Sequence, residues 1–360
     1  MNTQAFRDPE TAGKLIAAIN SRAEGLPTVR IMEVCGTHTM EIGRLGIRQL
    51  LPKNIELISG PGCPVCVTPA SYFDALAELA LEKNIRIATF GDLFRVPGNR
   101  YSFAQVKAQG AAVEIVTSPL AALDIAEKNP GQETVFAAVG FETTVPSTAV
   151  AVRKAAAQNI ANVSFFVAHR LVPPALDALL SDPGLRISAF LLPGHVSVIV
   201  GEAAYRLLVD RKVPGVIAGF EPLDILAGIL TILDMLAENN PSVKNAYPRV
   251  VRREGNVAAR MLIDEVYEPC DAVWRGIGNL PSSGLRLRSR YAKYDAALKY
   301  ALNVDNDEMP KGCSCGEVLK GQIRPDRCPL FGKSCTPDHP VGPCMVSSEG
   351  SCAAYYKYGW

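Results

Sequence analysis

From about residue 10 to residue 266 the chain alternates between two periodicities. Helix-like runs such as Thr11–Ala23, Ala70–Lys83 and Val145–Gln158 separate short β-branched runs. The β-branched runs are Val29–Val34, Ile55–Ser59, Ile85–Thr89, Val113–Val116, Thr134–Val139, Val163–Val167, Ile187–Leu192 and Pro214–Ala218. This β-α-β-α order predicts parallel sheets covered by helices. So many strands rarely make one compact sheet, and 360 residues leave room for two or three domains. The expectation is an α/β protein with two parallel-sheet domains over residues 1–130 and 131–267, between which the chain is free to cross. A weak internal echo agrees. Val139-Gly-Phe-Glu142 and Ala218-Gly-Phe-Glu221 each follow a strand and precede a helix.

After about residue 268 Gly, Pro, Cys and Ser become dense and apolar periodicity fades. One helix-like run, Tyr291–Leu302, precedes a cluster of cysteines. A segment of this kind, 268–360, cannot build its own core, so a metal site or packing on the main body must hold it.

Hydrophobic content of 48% and charged content of 20% describe a folded globular chain. A net charge of +1 excludes broad electrostatic attraction to nucleic acid or anionic membranes. The longest apolar stretch, Val213–Leu236, is interrupted by Glu221, Pro222, Asp224 and Asp234, so no membrane span is expected. Met1 to Glu10 is polar and lacks an apolar core, which leads to the expectation of a cytoplasmic protein. In a reducing compartment, ten cysteines point to metal or redox chemistry.

The unusual residues follow the predicted strands. Cys35-Gly-Thr-His38, Gly60-Pro-Gly-Cys-Pro-Val-Cys66, Gly91-Asp-Leu-Phe-Arg-Val-Pro-Gly98, Gly140-Phe-Glu-Thr-Thr144, Ala168-His-Arg170 and Pro193-Gly-His-Val-Ser197 all stand there. Ligands bind at the carboxyl ends of strands in open α/β sheets. Turn chemistry alone explains the glycines. It does not explain three Cys, three His and a Glu. Cys63-Pro-Val-Cys66 suits a redox dithiol beside a helix that starts near Pro69. Cys35 beside His38 suits a soft thiolate ligand with an imidazole at hand, although a buried Cys is more often only a small hydrophobe. Of His169 and His195, His195 is the one expected to face a site, since Pro193-Gly194 precedes it and Ser197 follows. Glu142 stands before Thr143 and Thr144, either of which could cap the next helix.

The tail carries Cys313, Cys315, Cys328, Cys335, Cys344 and Cys352. Four thiolates hold a [4Fe–4S] cluster. A zinc site wants two close pairs, which this spacing does not give. Neither a radical-SAM pattern nor a nucleotide-binding glycine motif is present.

Taken in order, these motifs and the segments Cys328-Pro-Leu-Phe-Gly332 and Ser348-Glu-Gly-Ser-Cys352 resemble the HypD family of hydrogenase maturation factors over nearly the whole chain. The resemblance implies two related α/β domains facing a cleft, with a small iron–sulfur domain behind. It implies that Cys35 and a cysteine of a HypC chaperone hold iron while cyanide and carbon monoxide are added. HypE, supplied by HypF, would bring the cyanide, and the hydrogenase large subunit would be served indirectly. His195 would line the same cleft. A cluster environment similar to that of ferredoxin–thioredoxin reductase would feed electrons through thiols. The expected ligands are Cys315, Cys328, Cys335 and Cys352. Two other readings remain: an iron–sulfur disulfide reductase similar to thioredoxin reductases, and a structural zinc protein.

Overall fold

The computed structural model describes residues 3–82, 85–182, 184–304 and 309–359. Its strands are β1 (Val29–Glu33), β2 (Ile55–Ser59), β3 (Ile85–Thr89), β4 (Val113–Ile115), β5 (Glu133–Gly140) and β6 (Val163–His169). They continue with β7 (Ala189–Pro193), β8 (Gly215–Ala218), β9 (Val243–Asn245), β10 (Tyr267–Trp274) and β11 (Gly278–Leu287). A five-stranded parallel sheet has the order β2-β1-β7-β8-β9 and a four-stranded one the order β4-β3-β5-β6. Every strand expected from the sequence is present, with ends within two residues of the expectation. The expected helices appear as Pro9–Ala23, Ala70–Leu81 and Val145–Gln158; the expected end at Lys83 lies outside the described residues.

The two sheets are not consecutive halves of the chain. β1 and β2 belong to the larger sheet, β3 to β6 to the smaller, and β7 to β9 return to the larger. Residue 130 therefore falls between β4 and β5, within the run of chain that builds the smaller sheet, and the chain crosses between the sheets twice. Local periodicity specifies a strand but not its partner, which is chosen by pairing across space.

Alternation within the strands shows how the sheets meet. Successive strand residues point to opposite faces. In β1, Met32 joins a central core and Ile31 an outer one. In β5, Val135, Ala137 and Val139 join the same central core, while Phe136 and Ala138 point outward. β7 and β8 add Phe190, Leu192 and Ile217 to the centre. Each sheet thus gives one face to a shared core and covers the other with helices. The helices Pro9–Ala23 and Pro222–Ala237 cover the outside of the larger sheet. No helix among the described residues is long and apolar enough to cross a membrane.

The region from residue 268 departs from expectation. β10 and β11 form an antiparallel hairpin, irregular between Cys270 and Ala272, with Tyr267 and Trp274 buried. Pro269 and Pro281 hide it, because proline within a run argues against a strand and is admitted at edges and irregularities. The Tyr291–Leu302 run is a 3-10 turn, Ser289–Tyr294, followed by a short helix, Ala296–Tyr300. The described residues beyond, 309–359, fit the loop-rich description, with short helices at Cys315–Leu319, Pro343–Val346 and Ser351–Tyr358.

Candidate functional site

The strand ends distribute the candidate residues over both sheets. β1, β2 and β7 of the larger sheet deliver Cys35, the 60–66 loop and the 193–197 loop. β3, β5 and β6 of the smaller sheet deliver the 91–98, 140–144 and 168–170 loops. β8 adds Gly219-Phe220-Glu221, the second copy of the internal echo.

Cys35 is the N-cap of helix Gly36–Arg44, in extended backbone. Behind it, the wholly buried Glu33 accepts a hydrogen bond from Thr39 Oγ1 at 2.7 Å and pairs with Arg48, tying the strand end to the helix. The 60–66 loop packs on one side. The Gly36 N–H donates to Gly62 O at 3.0 Å, and a Cβ on Gly62 would stand 2.6 Å from the Cys35 carbonyl carbon. The tail packs on another. A Cβ on Gly36 would stand 2.9 Å from the Glu349 carbonyl carbon, and Thr37 Oγ1 donates to Glu349 Oε1 at 2.9 Å. Burial, helped by the Glu349 carboxyl, pushes the Cys35 thiol up to about 11. A coordinated metal reverses that balance, since a ligating thiol is deprotonated outright.

Phe220 links the two imidazoles of this site. Its ring centroid lies 4.7 Å from that of His38 and 4.0 Å from that of His195. His38 is fully buried and its Nε2 lies 2.9 Å from Gly219 O, which makes Nε2–H the donor and leaves Nδ1 as an acceptor without a partner. Burial lowers its pKa to about 4, so it is neutral at pH 7. His195, in the first turn of helix Gly194–Val200, is exposed. His169 does not join them. It is buried edge-on to Tyr267 of the hairpin, 5.7 Å away.

Glu142 follows β5 of the smaller sheet. Its Oε1 accepts the Val172 N–H at 2.9 Å, its Oε2 has no protein partner, and burial raises its pKa to about 7. It lines a cavity of about 450 Å³ with Pro173, Pro174, Ile199 and Arg260. Thr144 occupies the N-cap position of helix Val145–Gln158, but its hydroxyl donates to Phe141 O at 3.0 Å instead of capping the helix. Tyr205 lies within electrostatic reach of both Glu142 and Cys35. It is fully buried, with its hydroxyl 2.9 Å from Ser197 Oγ, and burial raises its pKa. Sequence reasoning missed Phe220, Tyr205 and Glu349. The repeated Gly-Phe-Glu was the available signal for Phe220.

Cys63 and Cys66 are joined by a disulfide, and Pro69 caps the helix Ala70–Leu81 that follows. Cys63 Sγ lies 3.3 Å from Ser347 Oγ in the tail. All six tail cysteines line one small apolar cavity with Val318, Leu330, Phe331 and Met345. The Cys315 and Cys344 sulfurs are 3.0 Å apart. The four expected ligands and the two remaining thiols surround the same space, so position does not sort them. Among the described residues no three ligating side chains converge on a single ion position. The cavity measures about 20 Å³, so a cluster requires the sulfurs to move apart. Soft thiolates in an apolar setting are nonetheless the donor set that iron–sulfur clusters use. Cys270 lies elsewhere, half-buried on β10.

A family model described as HypD, "Hydrogenase formation hypA family", matches residues 10–359. The chain is 44% identical over 365 residues to the hydrogenase maturation factor HypD of Rhodobacter capsulatus, covering 98% of this chain and 97% of that protein. It is 45% identical over 363 residues to HypD2 of Bradyrhizobium diazoefficiens, with 98% and 96% covered. It is 43% identical over 362 residues to HypD of Escherichia coli K12, again with 98% and 96% covered. Similarity of this extent means that the chain belongs to the HypD family, in which these three relatives are named hydrogenase maturation factors.

Proposed function

We propose that the protein is a cytoplasmic assembly scaffold for the iron group of nickel–iron hydrogenases. Cys35 and a cysteine of a HypC-type chaperone hold iron while cyanide and carbon monoxide are added. A HypE-type donor, supplied by HypF, docks on that complex, and the hydrogenase large subunit receives the product indirectly. The observation that carries this reading is the contiguity of three sulfur sites. Cys35 packs against Gly62, Cys63 lies against Ser347 of the tail, and Cys63, Cys66, Cys315 and Cys344 share one core.

Each site has chemistry suited to the task. The Cys35 thiolate is a soft donor, appropriate to iron that also carries cyanide and carbon monoxide. His195 is exposed beside Phe220, where it can orient an arriving group. Four of the six tail thiolates would hold a [4Fe–4S] cluster, which supplies single electrons when bound. Cys63–Cys66 opens to a dithiol on taking up two electrons and two protons from an external reductant.

The alternative is an iron–sulfur disulfide reductase, favoured by the disulfide lying against the cysteine-bearing tail. That reading leaves Cys35 and the Phe220-linked imidazoles without a task. Anaerobic purification with the chaperone partner, followed by infrared spectroscopy and iron and sulfide analysis, separates the readings. Cyanide and carbonyl stretches are expected, together with about four iron atoms per chain in the tail. Iron and sulfide without either stretch would favour the reductase. Zinc without sulfide would defeat both.

A further inference from the structure

Arg275 follows β10 in the hairpin turn, and only 1% of its surface is exposed. A guanidinium stays charged when buried, so the charge must be compensated by an anion or by hydrogen bonds. Its Nε and Nη1 have no hydrogen-bond partner, and no carboxylate among the described residues pairs with it.

The backbone fixes where this charge stands. The Arg275 N–H donates to Val67 O at 2.8 Å, one residue beyond Cys66. The next residue, Gly276, has φ +71, and a Cβ there would stand 2.6 Å from Gly316 Cα. Gly316 directly follows Cys315. The turn is thus wedged between the disulfide loop and the first turn of the tail. Trp274 and Ile277, which flank Arg275 and Gly276 in sequence, pack into the same core as Cys313, Cys315 and Cys344.

We propose that Arg275 is the charge partner of the iron–sulfur group held in the six-thiol cavity, and that it raises the reduction potential of that group. The inference rests on the reading of that cavity as a cluster site. Four thiolates around a doubly positive core leave two net negative charges, and one added electron makes three. A fixed cation in a low-dielectric setting favours the more negative form. No bond forms or breaks, and in the test the electron comes from dithionite. The same guanidinium is an uncompensated buried charge when the cavity is empty of anions, so its effect on stability changes sign with loading.

The test compares the full chain with Arg275→Met, which keeps length without charge, and Arg275→Lys, which keeps charge. In mediated dithionite titrations followed by electron paramagnetic resonance, Arg275→Met should shift the equilibrium at least tenfold toward the oxidised form. That corresponds to a midpoint lower by about 59 mV. Arg275→Lys should shift it by less than half as much. Arg275→Met should also raise the thermal midpoint of cluster-free protein while lowering that of loaded protein. A residue that only braces the fold would lower both. A fully loaded Arg275→Met with the parent's midpoint overturns the inference alone. If Arg275→Met fails to load, loading restored by Arg275→Lys supports the charge role, and failure of both overturns it. A parent without iron and sulfide overturns the cavity reading and this inference together.

Discussion

The sulfur of Cys63 lies 3.3 Å from the hydroxyl of Ser347, although 284 residues separate them in sequence. The contact marks where the tail folds over the front of the larger sheet, and Glu349 extends it to Gly36 and Thr37. The environment of Cys35 is therefore completed by the cysteine-rich segment and not by its own sheet alone.

That closure depends on a missing side chain. Gly36→Ala places a methyl 2.9 Å from the Glu349 carbonyl carbon, against backbone that has little room to give. We expect a loss of about 1–3 kcal/mol, as for other overpacked sites, together with faster proteolysis near residues 347–350. Gly13→Ala is the control: nothing lies within 4 Å and the position is helical, so stability should rise by up to about 1 kcal/mol. Equal behaviour of the two variants would contradict the packing account.

Cys63 and Cys66 should cycle between disulfide and dithiol. The disulfide precedes the helix capped by Pro69 and touches the tail at Ser347. Thiol trapping across a range of potentials, read by mass spectrometry, should show the pair alkylated only under reducing conditions. Alkylation that is identical at every potential would remove the redox role.

Glu142 should impose a pH dependence on stability. Its carboxyl is raised from the ordinary 4.5 to about 7 by burial. Between those values the unfolded chain releases a proton that the folded chain keeps, so stability falls as pH rises from about 4.5 to 7 and levels off above. The loss is at most about 3 kcal/mol, at roughly 1.4 kcal/mol per pH unit. Glu142→Gln lacks this slope, so its stability relative to the parent should rise across that window in urea unfolding. A constant difference would mean that the carboxyl is already ionised at pH 5.

Much of the frame was legible because it is written locally. Ile55–Ser59 and Ile85–Thr89 are short β-branched runs, and the polar residues collect directly after the strands. Sheet membership was not legible, since nothing near Thr134 states that β5 will pair with β3 and not with β1. The β10–β11 hairpin was hidden by Pro269 and Pro281. Cys35, His38 and His195 stood out in the sequence as chemistry-bearing residues directly after predicted strands, and the structure sets both imidazoles beside Phe220. Phe220 and Arg275 did not stand out, because a phenylalanine reads as core and an arginine as surface until packing shows otherwise. Nor does the arrangement choose four of the six tail cysteines, because all of them face one cavity.

Whether Cys35 holds the iron is read most directly from the infrared spectrum of the chaperone complex carrying Cys35→Ser. A hydroxyl is a harder donor than a thiolate and does not replace it on iron of this kind. Cluster absorbance from the tail serves as the control for folding, and His195→Ala serves as the graded comparison, with loading reduced about 10–100-fold. Cys35→Ser should lose both the cyanide and the carbonyl bands while cluster absorbance persists. Full cyanide and carbonyl bands in Cys35→Ser would mean that the iron is held elsewhere.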